Sequence, residues 1–188
     1  MQTETILDFA LATWLGGLLI AAVASDWRSR RIPNALIVFG ASGGLLLSLF
    51  SAGPAGVTQS LLGLLVGLLL LLPGFVLGFT GAGDVKLLAA LGTFLGPVGV
   101  LKVFAVTAVL GAAVVLVSGL MRAGFAGFVE HAQRYAGMLF ATVRTGKWIY
   151  VAPNTASTLS RRLPMAPLMA TGVCIVLVSS RSLIGMST

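Results

Sequence analysis

Charge in this chain is confined to short gaps between long apolar stretches, and that pattern constrains its fold more than any other feature. Six stretches stand out, over about 6–25, 34–51, 57–79, 85–95, 98–121 and 165–184. Five of them reach or approach the roughly 20 residues that an α-helix needs to cross a bilayer. The stretch 85–95 is short, and Gly96-Pro97 separates it from the next. Hydrophobic residues make up 57% of the chain and charged residues 9%, with a mean hydropathy of +1.04. A soluble domain carries about 25% charged residues, so a soluble monomer is excluded. Intrinsic disorder, which needs low hydrophobicity and high charge, is excluded too. The expected fold class is all-α: a polytopic membrane bundle of about six transmembrane helices, one membrane domain over 1–188, with a cytoplasmic amphipathic helical segment over 122–164.

The net charge of +7 does not point to nucleic acid, because nucleic-acid binders gather Lys and Arg on a solvated face. Here the basic residues follow the positive-inside pattern. Arg28, Arg30 and Arg31 follow the first stretch, and Arg122, Arg134, Arg144, Lys147, Arg161 and Arg162 fall between the fifth and sixth. The other side keeps Lys102 and Arg181, with the acidic Glu4 and Asp8. The 122–164 segment is therefore expected in the cytoplasm and both termini outside. Ala22-Val23-Ala24 resembles a signal-peptide cleavage site, but Glu4 and Asp8 precede it without any basic residue, so a retained helix is expected.

Within 122–164, Phe125, Phe128, Val129, Ala132, Tyr135, Ala136, Leu139, Phe140 and Val143 recur at helical steps. This predicts an amphipathic helix lying in the headgroup plane as an anchor, with His131 on its solvated face. Glycines four residues apart, at 40/44, 63/67, 74/78 and 92/96, predict close helix packing inside the bundle. Cys174 is the single cysteine, so neither an intrachain disulfide nor a CxxC zinc site is available. No acid or histidine cluster has metal-ligand spacing, and no metal or cofactor is expected.

Two of the five acidic residues stand at helix ends, Asp26 closing the first stretch and Asp84 opening the fourth. Two crossings separate them, so parity returns the chain to the same face. Ionisable residues in spans are costly, roughly 2.5–3.5 kcal/mol at a helix centre, and are functional candidates for that reason. The plainer alternative is a pair of hydrated helix-end aspartates, with Asp84 as an N-cap. Gly81-Ala82-Gly83-Asp84 sets two glycines before the acid, and glycine permits unusual backbone angles and close approach of another chain. After Asp26, Pro33 disfavours the helical region at Ile32, and Pro33-Asn34 also reads as a helix start. Two carboxylates brought together suit aspartic-peptidase chemistry: an ionised group takes a proton from water while a protonated one polarises the scissile carbonyl. A proton- or cation-coupled transporter using the same acids is the alternative function, although such sites lie near the midplane.

Asp26-Trp27-Arg28-Ser29-Arg30-Arg31-Ile32-Pro33-Asn34 resembles the D-x₅-I-P-N motif of the type IV prepilin peptidases, and Gly81-Ala82-Gly83-Asp84-Val85-Lys86-Leu87 resembles their GxGD-[VI]-K-L motif. Arg162-Leu163-Pro164-Met165-Ala166-Pro167-Leu168 is similar to the proline-containing start of their last helix. The resemblance implies an intramembrane-type aspartic endopeptidase of the bacterial inner membrane that cuts the leader from prepilins or pseudopilins at the cytoplasmic face, beside the pilus assembly machinery. It implies Asp26 and Asp84 as the catalytic pair, with Gly81, Gly83, Lys86, Pro33 and Asn34 shaping the loop or the substrate's place. Long members of the family carry paired CxxC motifs linked to N-methylation. None occurs here, so methylation is not expected, and the short form looks like the peptidases of Flp/Tad pilus systems.

Overall fold

A computed structural model describes residues 2–29, 31–76, 80–145 and 165–185. Among the described residues the order is α1 (Gln2–Ser29), α2 (Asn34–Val76), α3 (Ala82–Thr145) and α4 (Met165–Gly185), with no strand. By compactness the chain falls into two units, Met1–Ala108 with Pro164–Thr188, and Val109–Leu163. The second unit is helical to Thr145, so the helix expected over 125–143 is present. It continues the preceding apolar stretch, with no boundary at Met121. Residues 146–164 of the expected cytoplasmic segment, and the side chain of His131, lie outside what the structure describes.

In the first unit, α1 buries Leu15, Leu18, Leu19, Ala22 and Asp26, a stripe at three- and four-residue steps. α1 packs antiparallel on the start of α2: Leu18 fills the space beside Gly40, Trp14 that beside Gly43, and Trp14 stacks on Phe39 at 4.9 Å. Between them, the Ser25 hydroxyl donates to Arg31 O at 2.7 Å and the Ser29 hydroxyl to the same oxygen at 3.2 Å. Pro33 then caps α2, its carbonyl accepting from the N–H groups of Leu36 and Ile37.

α2 is a hairpin. Gly53 has φ 60° and ψ −144°, a conformation glycine adopts at little cost, and Pro54 restarts the helix where its missing N–H is harmless. A straight helix would hold residues 48 and 60 about 18 Å apart, yet the Ser48 and Ser60 hydroxyls are hydrogen-bonded at 2.6 Å. The second limb runs antiparallel to the start of α3, with Gly63 against Gly92 and Gly67 against Leu88 and Ala89. A methyl on Gly63 or Gly92 would collide with the other's carbonyl, so the two backbones touch, as the four-residue glycine spacing predicts.

α3 breaks at Gly96, whose φ is +67°. Pro97 follows and has no N–H to give to the carbonyl four residues back, that of Thr93. The Ser60 hydroxyl, itself buried, donates to Thr93 O at 2.6 Å. Before the break α3 is the centre of the unit: Leu87, Leu88 and Leu91 are fully buried. α4 presents Ala166, Met169 and Val173 inward, and its Gly172 meets Val103 and Thr107.

Glycine and serine line the interior of α2, while Leu61, Leu62, Leu65, Leu69 and Leu72 face outward. A soluble monomer does not expose apolar surface on this scale. Three described segments are long and apolar enough to cross a bilayer: Phe9–Ser29, Asn34–Val76 and Ala82–Val114. The apolar part of α4, Met165–Ser179, is shorter. The six separate stretches expected are thus carried by four helices among the described residues. Reversal at Gly53 and the break at Gly96 join stretches with no loop between them.

Candidate functional site

Asp26 lies in the last turn of α1, one turn before its end at Ser29. It continues the apolar stripe, which is why its side chain points inward and is only 8% exposed. The backbone N–H of Ala166, in the first turn of α4, donates to Asp26 Oδ2 at 3.2 Å. Helix N-termini leave four N–H groups without intrahelical partners, and Pro167 lacks one altogether. Asp26 therefore caps α4 from 140 residues away. The neighbouring Trp27 is 76% exposed.

Asp84 is the third residue of α3 and is half-buried. It is not the N-cap: Gly81 holds that position, its carbonyl accepting from the N–H groups of Asp84 and Val85 at 3.1 and 3.3 Å. The Asp84 carboxylate instead reaches back and accepts from the Gly81 N–H at 3.2 Å. This is the acidic half of a capping box, and glycine offers no side chain for the other half. A methyl on Gly81 would stand 3.2 Å from Asp84 Oδ2, whereas one on Gly83 would make ordinary contact with Ile32 at 3.6 Å. The unusual backbone angles expected of these glycines are absent. Among the described residues, positive φ occurs at Gly53 and Gly96. What Gly81 contributes is room beside a carboxylate.

The two aspartate-bearing segments meet. Gly83 packs on Ile32, and Lys86 Nζ donates to Asn34 Oδ1 at 2.9 Å. The end of α1, the start of α2 and the start of α3 therefore share one end of the first unit, and α4 begins there as well through Ala166. Pro33, exposed, sits in the connection as the cap of α2. A cleft of about 420 Å³ opens at the other end, between the Gly53 turn and the Gly96 break, and none of the residues expected to be functional lines it. Among the described residues no group of three or more His, Cys, Asp or Glu could hold a metal ion. Ala166 and Ile32 stand inside motifs that the sequence displays, but their contacts with Asp26 and Gly83 are not legible there. Pro164 and Pro167 mark a helix start there, but nothing local tells which side chain the freed N–H groups will meet.

These features define a helical membrane protein, glycine-packed inside and leucine-faced outside, with a buried and a half-buried carboxylate at helix ends that share one end of the bundle. A model of the type IV leader peptidase family matches residues 13–116, more than half of the chain and both aspartate motifs. The chain belongs to the type IV leader peptidase family, and so to the peptide-bond hydrolases. Searches of curated proteins and of solved structures return no match.

Proposed function

We propose that the protein is a membrane aspartic endopeptidase that removes the leader from type IV prepilins at the cytoplasmic face of the bacterial inner membrane, with Asp26 and Asp84 as the water-activating pair. The observation that carries this reading is the meeting of the two aspartate motifs, Asn34 with Lys86 and Ile32 with Gly83, in a chain of the leader peptidase family. In the reaction a water between the carboxyls gives a proton to the ionised one as its oxygen attacks the scissile carbonyl. The protonated carboxyl hydrogen-bonds to the carbonyl oxygen. Collapse of the tetrahedral intermediate breaks the C–N bond, and a proton passes to the leaving amine. Gly81 keeps space beside Asp84, while Gly83, Pro33, Asn34 and Lys86 shape the surroundings.

In this reading the limbs of α2 and the two sides of the α3 break each cross once, as do α1 and α4, so that both termini lie on one side, the outside. Exposed Arg28 and Arg31 beside Asp26 support a cytoplasmic location for that end, and Trp27 suits the headgroup level. The substrate is an Flp-like prepilin or pseudopilin held as a helix against the bundle, delivered within a pilus assembly machinery. N-methylation is not part of this activity.

The test is incubation of the purified protein, in detergent or liposomes, with an Flp-type prepilin, reading product mass with Asp26→Asn and Asp84→Asn alongside. Loss of the leader mass with no added methyl is expected from the unmodified protein. Each variant should be slower by at least about 10²–10⁴-fold. Cleavage retained in either folded variant would sink the pair. Ion flux sensitive to both acids, with no peptide product, would favour a transporter.

A further inference from the structure

Between Arg31 and Asp84 the chain carries no charged residue, and the first ammonium after Asp84 belongs to Lys86. Its neighbours Val85, Leu87 and Leu88 are buried, whereas Lys86 lies on the exposed side of this limb. A lysine at the end of a span ordinarily extends its ammonium into the headgroup layer. Here the ammonium is engaged by a neutral side chain: it donates to Asn34 Oδ1 at 2.9 Å, across 52 residues of sequence. Asn34 is a fixed partner. It is the first residue of α2, held by the Pro33 cap and reached from Asp26 through the serine-bound turn at Arg31. Lys86 is two residues beyond Asp84 in the same helical turn. The bond thus runs from the turn that carries Asp84 to the segment that leads from Asp26, parallel to the packing of Gly83 on Ile32.

We propose that Lys86 is a positioning residue, which through Asn34 fixes the first turn of α3 against the α1–α2 connection and so sets the separation of Asp26 and Asp84. The inference rests on the reading of those two aspartates as the reacting pair. In this role Lys86 acts through Asn34. A charged donor makes the bond stronger than a neutral one, and Asn34 gives it direction. Exposed polar pairs add little to folding free energy. Reacting groups, however, must be held within about 0.5 Å of their working geometry, and a misplacement of about 1 Å costs up to about 10²-fold in rate. The loss of this bond therefore belongs in turnover, with folding and substrate affinity little changed.

The test compares kcat, KM and melting temperature of the purified full chain, with an Flp-type prepilin, for Lys86→Met, Asn34→Leu and the double variant. Lys86→Arg keeps a donor and Asn34→Asp keeps an acceptor. Each single truncation should lower kcat about tenfold with KM within about twofold. The double variant should be no slower than the slower single, because both remove one interaction. Lys86→Arg and Asn34→Asp should stay within about threefold of the unmodified protein, and melting temperatures should be unchanged. Losses that multiply in the double variant, a loss carried by KM, or a fall in melting temperature that accounts for the fall in rate each overturn the proposal. Asn34→Leu decides the matter alone if Lys86→Met does not fold: unimpaired turnover with Lys86 intact and its acceptor gone excludes the role. Asp26→Asn and Asp84→Asn run in parallel. Cleavage by either removes the pair reading, whereas two inactive aspartate variants beside fully active Lys86 and Asn34 variants remove only this inference.

Discussion

At Gly81 the absence of a side chain decides how a carboxylate is held. The Asp84 side chain accepts from the Gly81 N–H, and an added methyl there would stand 3.2 Å from the accepting oxygen, tighter than ordinary van der Waals contact. The carboxylate would have to give way by a few tenths of an ångström, on the side where it meets its donor. At Gly83 the same methyl meets Ile32 at 3.6 Å, an ordinary distance. The two glycines of one motif should therefore respond differently. Gly81→Ala is expected to lower leader cleavage by about tenfold or more, while Gly83→Ala stays within about threefold, both measured as initial rates on purified protein at matched folded fraction. The reverse order would mean that Gly83 makes room for something other than Ile32. Sequence alone marks this motif, because two glycines before an acid are a local signal. It does not separate their roles, since crowding at Gly81 depends on where the Asp84 side chain turns and Gly83 meets a residue from the α1–α2 connection.

Among the elements, the α3 break illustrates what is local and what is not. Gly96-Pro97 is readable as a boundary, and so are Pro33 before α2 and Pro164 before α4, because proline and glycine act on their own backbone. The reading ends α1 about a turn early, since Ser25 and Ser29 satisfy the backbone of the turn beyond it. It also leaves a loop between 51 and 57 where Gly53 and Pro54 reverse the helix directly. The replacement of a missing backbone donor by Ser60, 33 residues from Thr93, is invisible to any local pattern. That hydroxyl is bonded to Thr93 O and to Ser48, inside a limb whose backbone touches α3 at Gly63 and Gly92. Ser60→Ala is accordingly expected to destabilise the bundle by about 1–2 kcal/mol, read as a lower midpoint in denaturant titration in micelles. Ser51→Ala, at an exposed hydroxyl bonded within its own helix, should be neutral within about 0.5 kcal/mol. Equal effects of the two would show that Ser60 is not the compensating donor.

At the scale of the whole molecule, Asp26 joins the first helix to the last. Its position in the core stripe of α1 could be counted from the sequence, but its partner could not, because Ala166 N–H is a backbone group exposed only by the start of a helix 140 residues on. The same carboxylate that is proposed to activate water therefore also terminates α4, and its two roles can be pulled apart. Asparagine keeps an oxygen that accepts a hydrogen bond but ends acid–base chemistry; alanine removes both. Leaving a buried N–H without its acceptor costs about 1–3 kcal/mol, equivalent to roughly 10–100-fold in local opening. Hydrogen exchange is well suited to read it: between Pro164 and Pro167 only Met165 and Ala166 carry a backbone N–H, so a peptide across this segment reports few other groups. Asp26→Ala should speed exchange there by about 10–100-fold. Asp26→Asn should stay much closer to the unmodified protein although both variants are inactive, and Asp84→Ala should leave this peptide unchanged. If Asp26→Ala and Asp26→Asn exchange alike at the unmodified rate, the cap contributes nothing to holding α4. Inactivity of Asp26→Asn would then reflect chemistry alone, with no part in how the last helix docks.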